Sequence, residues 1–162
     1  MAPVIDIMIE AGGWDALGDI EALTRRAVET CVDMADAEVD EDEELSLLLC
    51  DDARIQELNR TFRGLDKPTN VLSFPAPEQA GSLALGDIAI AYETVAREAA
   101  GEGKSLADHY CHMVVHGLLH ILGYGHEMDD EAEIMEALER AILGRMGIAD
   151  PYASAGGDPA TP

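Results

Sequence analysis

The chain has 162 residues, 48% of them hydrophobic and 27% charged, which is enough apolar material for one domain core and excludes collagen-like, mucin-like and wholly disordered chains. Ten Lys and Arg against 33 Asp and Glu leave a net charge of −23; this opposes a phosphate backbone and disfavours broad nonspecific nucleic-acid binding, so any such contact needs a local patch. The three cysteines, Cys31, Cys50 and Cys111, form no CxxC pair, which argues against a disulfide framework or a cysteine zinc knuckle and fits a reducing cytoplasm. With no basic leader and no run near the ~18 apolar residues of a membrane span, a soluble cytoplasmic protein is expected.

Val4 to Ile9 is short and β-branched, as a strand requires, and Gly12-Gly13 separates it from Asp15 to Ala35, where apolar residues recur at helical spacing. From Asp33 to Glu44 eight of twelve residues are acidic, too charged to bury, so a solvated helix end and loop is predicted. Leu45 to Cys50 reads as a strand. Asp51-Asp52 then caps a helix to about Phe62, with Ile55, Leu58 and Phe62 on one stripe. Asn70 to Phe74 and Asp87 to Ala91 are the next strands, joined by a loop holding Pro75, Pro77 and Gly81. Tyr92 to Ala100 forms a short helix. Ser105 caps a longer apolar one ending near Gly123, and Asp129-Asp130-Glu131 opens a last helix to Met146, with acidic groups favourable at its N-terminus. The Pro- and Gly-rich tail, residues 149–162, is expected to be disordered. The elements sum to an α+β single domain over residues 1–148: a mixed four-stranded sheet packed with about five helices.

All five histidines fall within eighteen residues, His109 to His126. His109, His112, His116 and His120 advance by three, four and four and therefore share one face of a helix. His116 and His120 can both reach one ion. Adding His112 would stretch the set over about 12 Å, too far for a tetrahedral centre. The third ligand must leave the helix axis: Gly123 can end the helix in a left-handed conformation, Gly125 adds freedom, and His126 can turn back to the metal. His116, His120 and His126 are thus the predicted ligands of one Zn²⁺, and three neutral imidazoles leave a fourth position for water, as in a catalytic zinc site. His109 and His112 are read as supporting or core histidines, with His112 able to hold a ligand or substrate. The same spacing occurs in metzincin proteases, where a glutamate after the first histidine is the general base. Gly117 occupies that position here, and no Met-turn follows.

The run His112 to His126, HMVVHGLLHILGYGH, resembles the signature of the YbeY family of single-domain bacterial endoribonucleases that mature ribosomal RNA. Leu58-Asn59 with Thr61-Phe62-Arg63-Gly64, then KPTNVLSFP over Lys67 to Pro75, and Leu85-Gly86-Asp87-Ile88 resemble its other blocks in the same order. The resemblance implies a zinc-hydrolase-like fold, cleavage of single-stranded ribosomal RNA, and roles in small-subunit maturation and ribosome quality control. It implies that His116, His120 and His126 hold zinc and that Arg63 serves activity, so Arg63 and His116 are the expected catalytic residues. The family usually carries aspartate where this chain has Gly125, which removes a carboxylate able to orient an imidazole; Asp87 either compensates or caps a strand end.

Residues 54–75 carry Arg54, Arg60, Arg63 and Lys67 against Glu57 and Asp66 and are net +2, a basic island in a chain whose remainder is −25. Arg63 can clamp a phosphate bidentately, or else pair with Asp66 or Glu57. Thr69, Asn70 and Ser73 are read as turn and strand-end hydrogen bonders. The expected partners are single-stranded ribosomal RNA and the small subunit or its basic proteins, with no membrane and no DNA. Two other readings remain: a metzincin-like peptidase or hydrolase, and a non-catalytic ribosome-assembly factor with structural zinc.

Overall fold

A computed structural model describes residues 2–77, 81–125 and 128–152. Four strands set the frame: β1 (Val4–Ile9), β2 (Glu44–Cys50), β3 (Val71–Pro75) and β4 (Ala84–Ala91), in the order β1-β2-β4-β3. The first three neighbours are parallel, with Ile7 opposite Leu47 and Leu47 opposite Ile88. β3 runs antiparallel to β4, Ser73 opposite Ile88. The predicted mixed sheet is therefore present.

Strand alternation gives the sheet two unlike faces. Leu45, Leu47, Leu49, Ile88 and Ile90 point into the main core, which is closed by α1 (Ile20–Met34), α4 (Leu106–Ile121) and α5 (Asp129–Arg145). Leu72, Ala89 and Ala91 point the other way, where Ile55 and Leu58 of α2 (Asp52–Arg63) cover them. A short helix α3 (Tyr92–Glu102) follows β4 directly and leads to α4. The side chains of Tyr110, Cys111, Val114, Val115, Leu118 and Leu119 of α4 are fully buried. At roughly 1.5–3 kcal/mol for each large apolar side chain buried, this helix is a main source of stability as well as the carrier of four histidines.

Caps fall where the sequence placed them. Asp51 accepts from the Arg54 N–H at 2.8 Å, and Ser105 accepts from the Asp108 N–H at 3.1 Å. Three details differ from expectation. The helix expected from Asp15 to Ala35 is split into a 3-10 turn, Gly12–Leu17, and α1, because Gly18 takes a left-handed φ of 73° and Asp19 then caps α1 through the Ala22 N–H. Trp14 of that turn is buried, donates its indole N–H to the Cys50 carbonyl at 3.1 Å, and meets Tyr92 and Tyr110 edge-on. Second, Phe62 does not join the buried stripe of α2; it is 65% exposed and rests edge-on against Phe74, while Asn59 is buried and donates to the Lys67 carbonyl. Third, of the tail expected to be disordered, residues 149–152 are placed, and residues 153–162 lie outside the described residues.

Burial pushes the thiols of Cys31, Cys50 and Cys111 up to about 12. Because the thiolate is the reactive form, none of the three should react with an aromatic disulfide reagent at pH 8 in the time that labels all three in the denatured chain. Rapid labelling of native protein would contradict this burial.

Candidate active site

Helix α4 presents His109, His112, His116 and His120 in line, as their spacing predicts. The last two converge. His116 Nε2 stands 3.2 Å from His120 Nε2. The other nitrogen of each ring faces an acceptor: His116 Nδ1 lies 3.2 Å from Glu139 Oε1, and His120 Nδ1 lies 3.1 Å from the Tyr124 carbonyl. That carbonyl comes within reach because α4 ends at Ile121 and the chain turns at Gly123, whose φ is 105°. Carboxylates and carbonyls only accept, so this geometry matches the tautomer with the proton on Nδ1 in each ring, which turns the two Nε2 atoms toward one another. Two ring nitrogens that face each other at this separation are placed to share one cation. A tetrahedral ion with Zn–N of about 2.0–2.1 Å separates its nitrogens by about 3.3 Å, close to what is observed. His126, the third predicted ligand, lies outside the described residues.

Behind His116 is a carboxylate that sequence reasoning did not single out. Glu139 of α5 is 1% exposed and accepts from His112 Nε2 at 2.7 Å as well as from His116. Burial by itself would raise its carboxyl; hydrogen bonds from His112 and His116 outweigh burial and hold it down to about 2. The Tyr152 hydroxyl also donates to it, 3.1 and 3.2 Å from its two oxygens. His112, His116 and Glu139 offer ligand atoms all within 4.8 Å of one another, so the described residues contain a group able to hold a metal ion. Two placements compete, one among these three and one at the paired Nε2 atoms. The N···O separation of 2.7 Å is that of a charge-assisted hydrogen bond, shorter than the spacing of two ligands on one ion. That favours the Nε2 side, with Glu139 as orienting partner.

His109 belongs to a different pair. It is buried, and its Nε2 meets Glu98 at 2.8 Å, a carboxylate that Asn70 also reaches at 3.1 Å. Burial lowers its pKa against the opposing pull of Glu98.

A cleft of about 410 Å³ opens in front of His116 and His120, lined also by Arg63, Asn70, Ser73 and Pro75. Arg63 is the last residue of α2 and is exposed. Its expected salt-bridge partners are engaged elsewhere: Arg54 reaches Glu57 at 3.6 Å, and Gln56 donates to Asp66 at 3.0 Å. Among the described residues Arg63 makes no ion pair, and its guanidinium is available to the cleft. Asn70 serves the strand end, accepting the Val71 N–H at 2.7 Å. Asp87 does not join this cleft. It lines a groove with Asp6, Leu58 and Phe62, on the face of the sheet covered by α2, so it does not replace a carboxylate at position 125. The space beside Gly125 instead faces α5, where Glu131 carboxylate oxygens lie 3.9 and 4.0 Å from where a Cβ would be.

The family model for endoribonuclease YbeY matches residues 15–147 of this chain. The chain belongs to the YbeY endoribonuclease family. Curated YbeY endoribonucleases are 51% identical over 158 residues in Rhodopseudomonas palustris strain BisB18, covering 93% of either chain, and 53% identical over 157 residues in strain CGA009, covering 93% of this chain and 82% of that one. That of Methylocella silvestris is 48% identical over 156 residues, covering 94% and 87%. The solution structure of TM1509 from Thermotoga maritima superposes with a TM-score of 0.56 at 26% identity, over 92% of this chain and 99% of that one. The family is one of endoribonucleases, which cut phosphodiester bonds within an RNA chain, and the α+β fold read from the sequence agrees with this neighbour.

Within this YbeY fold, the missing peptidase base has a packing cause. Gly117 turns toward the sheet and not toward the cleft: a Cβ there would stand 3.0 Å from Ile88 Cγ2 and 3.2 Å from its Cδ1. Any larger side chain at that position would therefore start against Ile88 and the sheet face. Glu139 was detectable in principle, because Met135, Glu139 and Ile142 form one i, i+4, i+7 stripe whose other members are fully buried. An acidic residue on an apolar stripe signals a partner. Gly117→Val is expected to cost about 1–3 kcal/mol by overpacking against Ile88, lowering Tm by several degrees in thermal denaturation followed by circular dichroism. An unchanged or higher Tm would mean that α4 has room to move off the sheet.

Proposed function

We propose that this chain is a zinc-dependent endoribonuclease that cuts single-stranded ribosomal RNA during small-subunit maturation and ribosome quality control, in the cytoplasm where ribosomes assemble. The observation that carries the reading is one cleft holding both Arg63, which makes no ion pair among the described residues, and two imidazoles whose Nε2 atoms meet at metal-ligand spacing. The donor set fits zinc: His116 and His120 would hold it through Nε2, with His126 as the third ligand from the sequence pattern. Bound there, zinc would polarise a phosphoryl oxygen or activate the attacking oxygen near neutral pH.

The chain's own groups supply the rest. Glu139 and the Tyr124 carbonyl lie against Nδ1 of His116 and His120, and by accepting a proton there they would leave Nε2 of each ring as the atom that holds the ion. The Arg63 guanidinium, carried by the last residue of a capped helix, can take two phosphate oxygens at once and balance charge that develops on them. The cleft is open to solvent and mixes polar side chains (Arg63, Asn70, Ser73) with Val71, Leu72 and Pro75, a lining a single strand can pass along. With −23 on the whole chain, RNA is repelled from most of the surface and admitted at the basic island. This supports weak, salt-sensitive intrinsic affinity, delivery by the ribosome or one of its basic proteins, and no general affinity for DNA.

The test is cleavage of a single-stranded small-subunit ribosomal RNA fragment by zinc-loaded protein beside identically prepared variants. Arg63→Ala should retain stoichiometric zinc and lose about 10²–10³-fold in rate. His116→Ala and His120→Ala should lose zinc and cleavage together. Turnover of unstructured peptides with RNA left intact would establish the peptidase instead. Histidine variants that unfold, with Arg63→Ala impaired only in ribosome binding, would establish an assembly factor with structural zinc.

A further inference from the structure

Beyond residue 147, where the family match ends, the chain does not leave the site. Asp150 and Tyr152 return along α5. Arg140 Nε meets Asp150 Oδ1 at 3.2 Å, the same oxygen accepts the Tyr152 N–H at 2.8 Å, and the Arg140 guanidinium sits 5.3 Å from the centre of the Tyr152 ring. One arginine thereby anchors a short segment twice, through its charge and through a cation–π contact. The segment carries the Tyr152 hydroxyl to Glu139 and sets its ring edge-on to His112, 5.6 Å between centroids.

Glu139 is an almost fully buried carboxylate, and such a group is tolerated only when its lone pairs are met by donors. His112 Nε2 and His116 Nδ1 both converge on one oxygen, Oε1. Among the described residues Tyr152 is the one donor within hydrogen-bond distance of both oxygens: its single hydroxyl proton is shared between them, 3.1 Å from Oε1 and 3.2 Å from Oε2, and it is the one described donor that reaches Oε2. The orientation of that carboxylate decides whether the His116 ring proton is held on Nδ1. Tyr152 also lines a separate cleft of about 250 Å³ with Lys104, His109, His112 and His116, and so stands between solvent and the buried hydrogen-bond network.

We infer that Tyr152, held by Arg140 and outside the family match, is a positioning residue: through Glu139 it holds His116 in the tautomer and orientation that present Nε2 to a metal ion. This rests on the proposed metal site for its consequence and on Glu139 geometry for its cause, and the two can be measured separately. In metal-free protein, long-range ¹H–¹⁵N correlation of the imidazoles should show His116 protonated on Nδ1. Tyr152→Phe, which keeps the ring and loses the donor, should convert this to a mixture. In a chelator competition, zinc should bind Tyr152→Phe about tenfold more weakly and Glu139→Gln roughly 10–100-fold more weakly. The double variant should be no weaker than Glu139→Gln alone, since the hydroxyl acts through that carboxylate.

A Tyr152→Phe protein with a lowered Tm but unchanged zinc affinity and tautomer would reduce Tyr152 to a structural contact and overturn the inference. If the parent protein binds no zinc, the metal site falls and the tautomer decides the inference by itself: a mixture upholds it, an unchanged ring refutes it. Should Tyr152→Phe fail to fold, Arg140→Ala, which frees the segment while keeping the hydroxyl, carries the same two readouts, with zinc weakened about threefold.

Discussion

Burying Glu139 between α4 and α5 is the constraint on which the site depends. Taking a carboxylate out of water costs several kcal/mol unless donors replace the lost hydration, and here the donors are two histidines of α4 and a tyrosine from beyond α5. The cost is offset only when those elements sit in one relative register. Sliding α5 by a turn along α4 would leave an ionised group in the core with nothing to answer it. The same bond that sets the register also favours one tautomer, because an acceptor at His116 Nδ1 draws the proton there and leaves Nε2 to face His120. Packing and chemistry are coupled through one side chain.

Helix α4 can carry both because its period separates them. Val114, Val115 and Leu118 are fully buried in the main core and Gly117 lies flush against Ile88, while the histidines look across the helix toward α5, β3 and the cleft. A side chain at 117 would lift the helix from β4 and carry the imidazoles with it. The close approach therefore serves precision as much as stability: a site built on a helix locked to a sheet holds its ligands more tightly than one built on loops. It also accounts for why this helix, despite a histidine spacing shared with metalloproteases, has no place for their general base.

Much of this was readable in the sequence because it is local. Caps at Asp51 and Ser105, alternation in the strands, and four histidines along one helical face are consequences of backbone period and short-range hydrogen bonding. The convergence of Arg63 with His116 and His120 in one cleft came from blocks in family order, and no periodicity would have supplied it. What escaped was decided by which faces meet. Asp15 to Ala35 keeps helical spacing through Gly18, yet a left-handed residue there interrupts it, and spacing cannot report a dihedral angle. Phe62 fits the apolar stripe of α2 by its hydropathy, but α2 covers only part of its sheet face and leaves Phe62 at the rim.

Glu139 and Tyr152 escaped for a further reason: their surroundings disguise them. Glu139 lies in a helix opening with three consecutive acidic residues, where one more carboxylate reads as solvated, and only its position on the stripe of Met135 and Ile142 marks it as inward. Tyr152 stands in a stretch whose proline, glycine and small residues read as tail, and composition averages over the one aromatic that docks. Each becomes interpretable only beside the other. A buried acid implies donors, His112 and His116 approach one of its oxygens, and the nearest chain able to brace the other is the segment that Arg140 pins to α5. Satisfying a buried charge thus extends the functional unit past the last residue of the family match, to Tyr152.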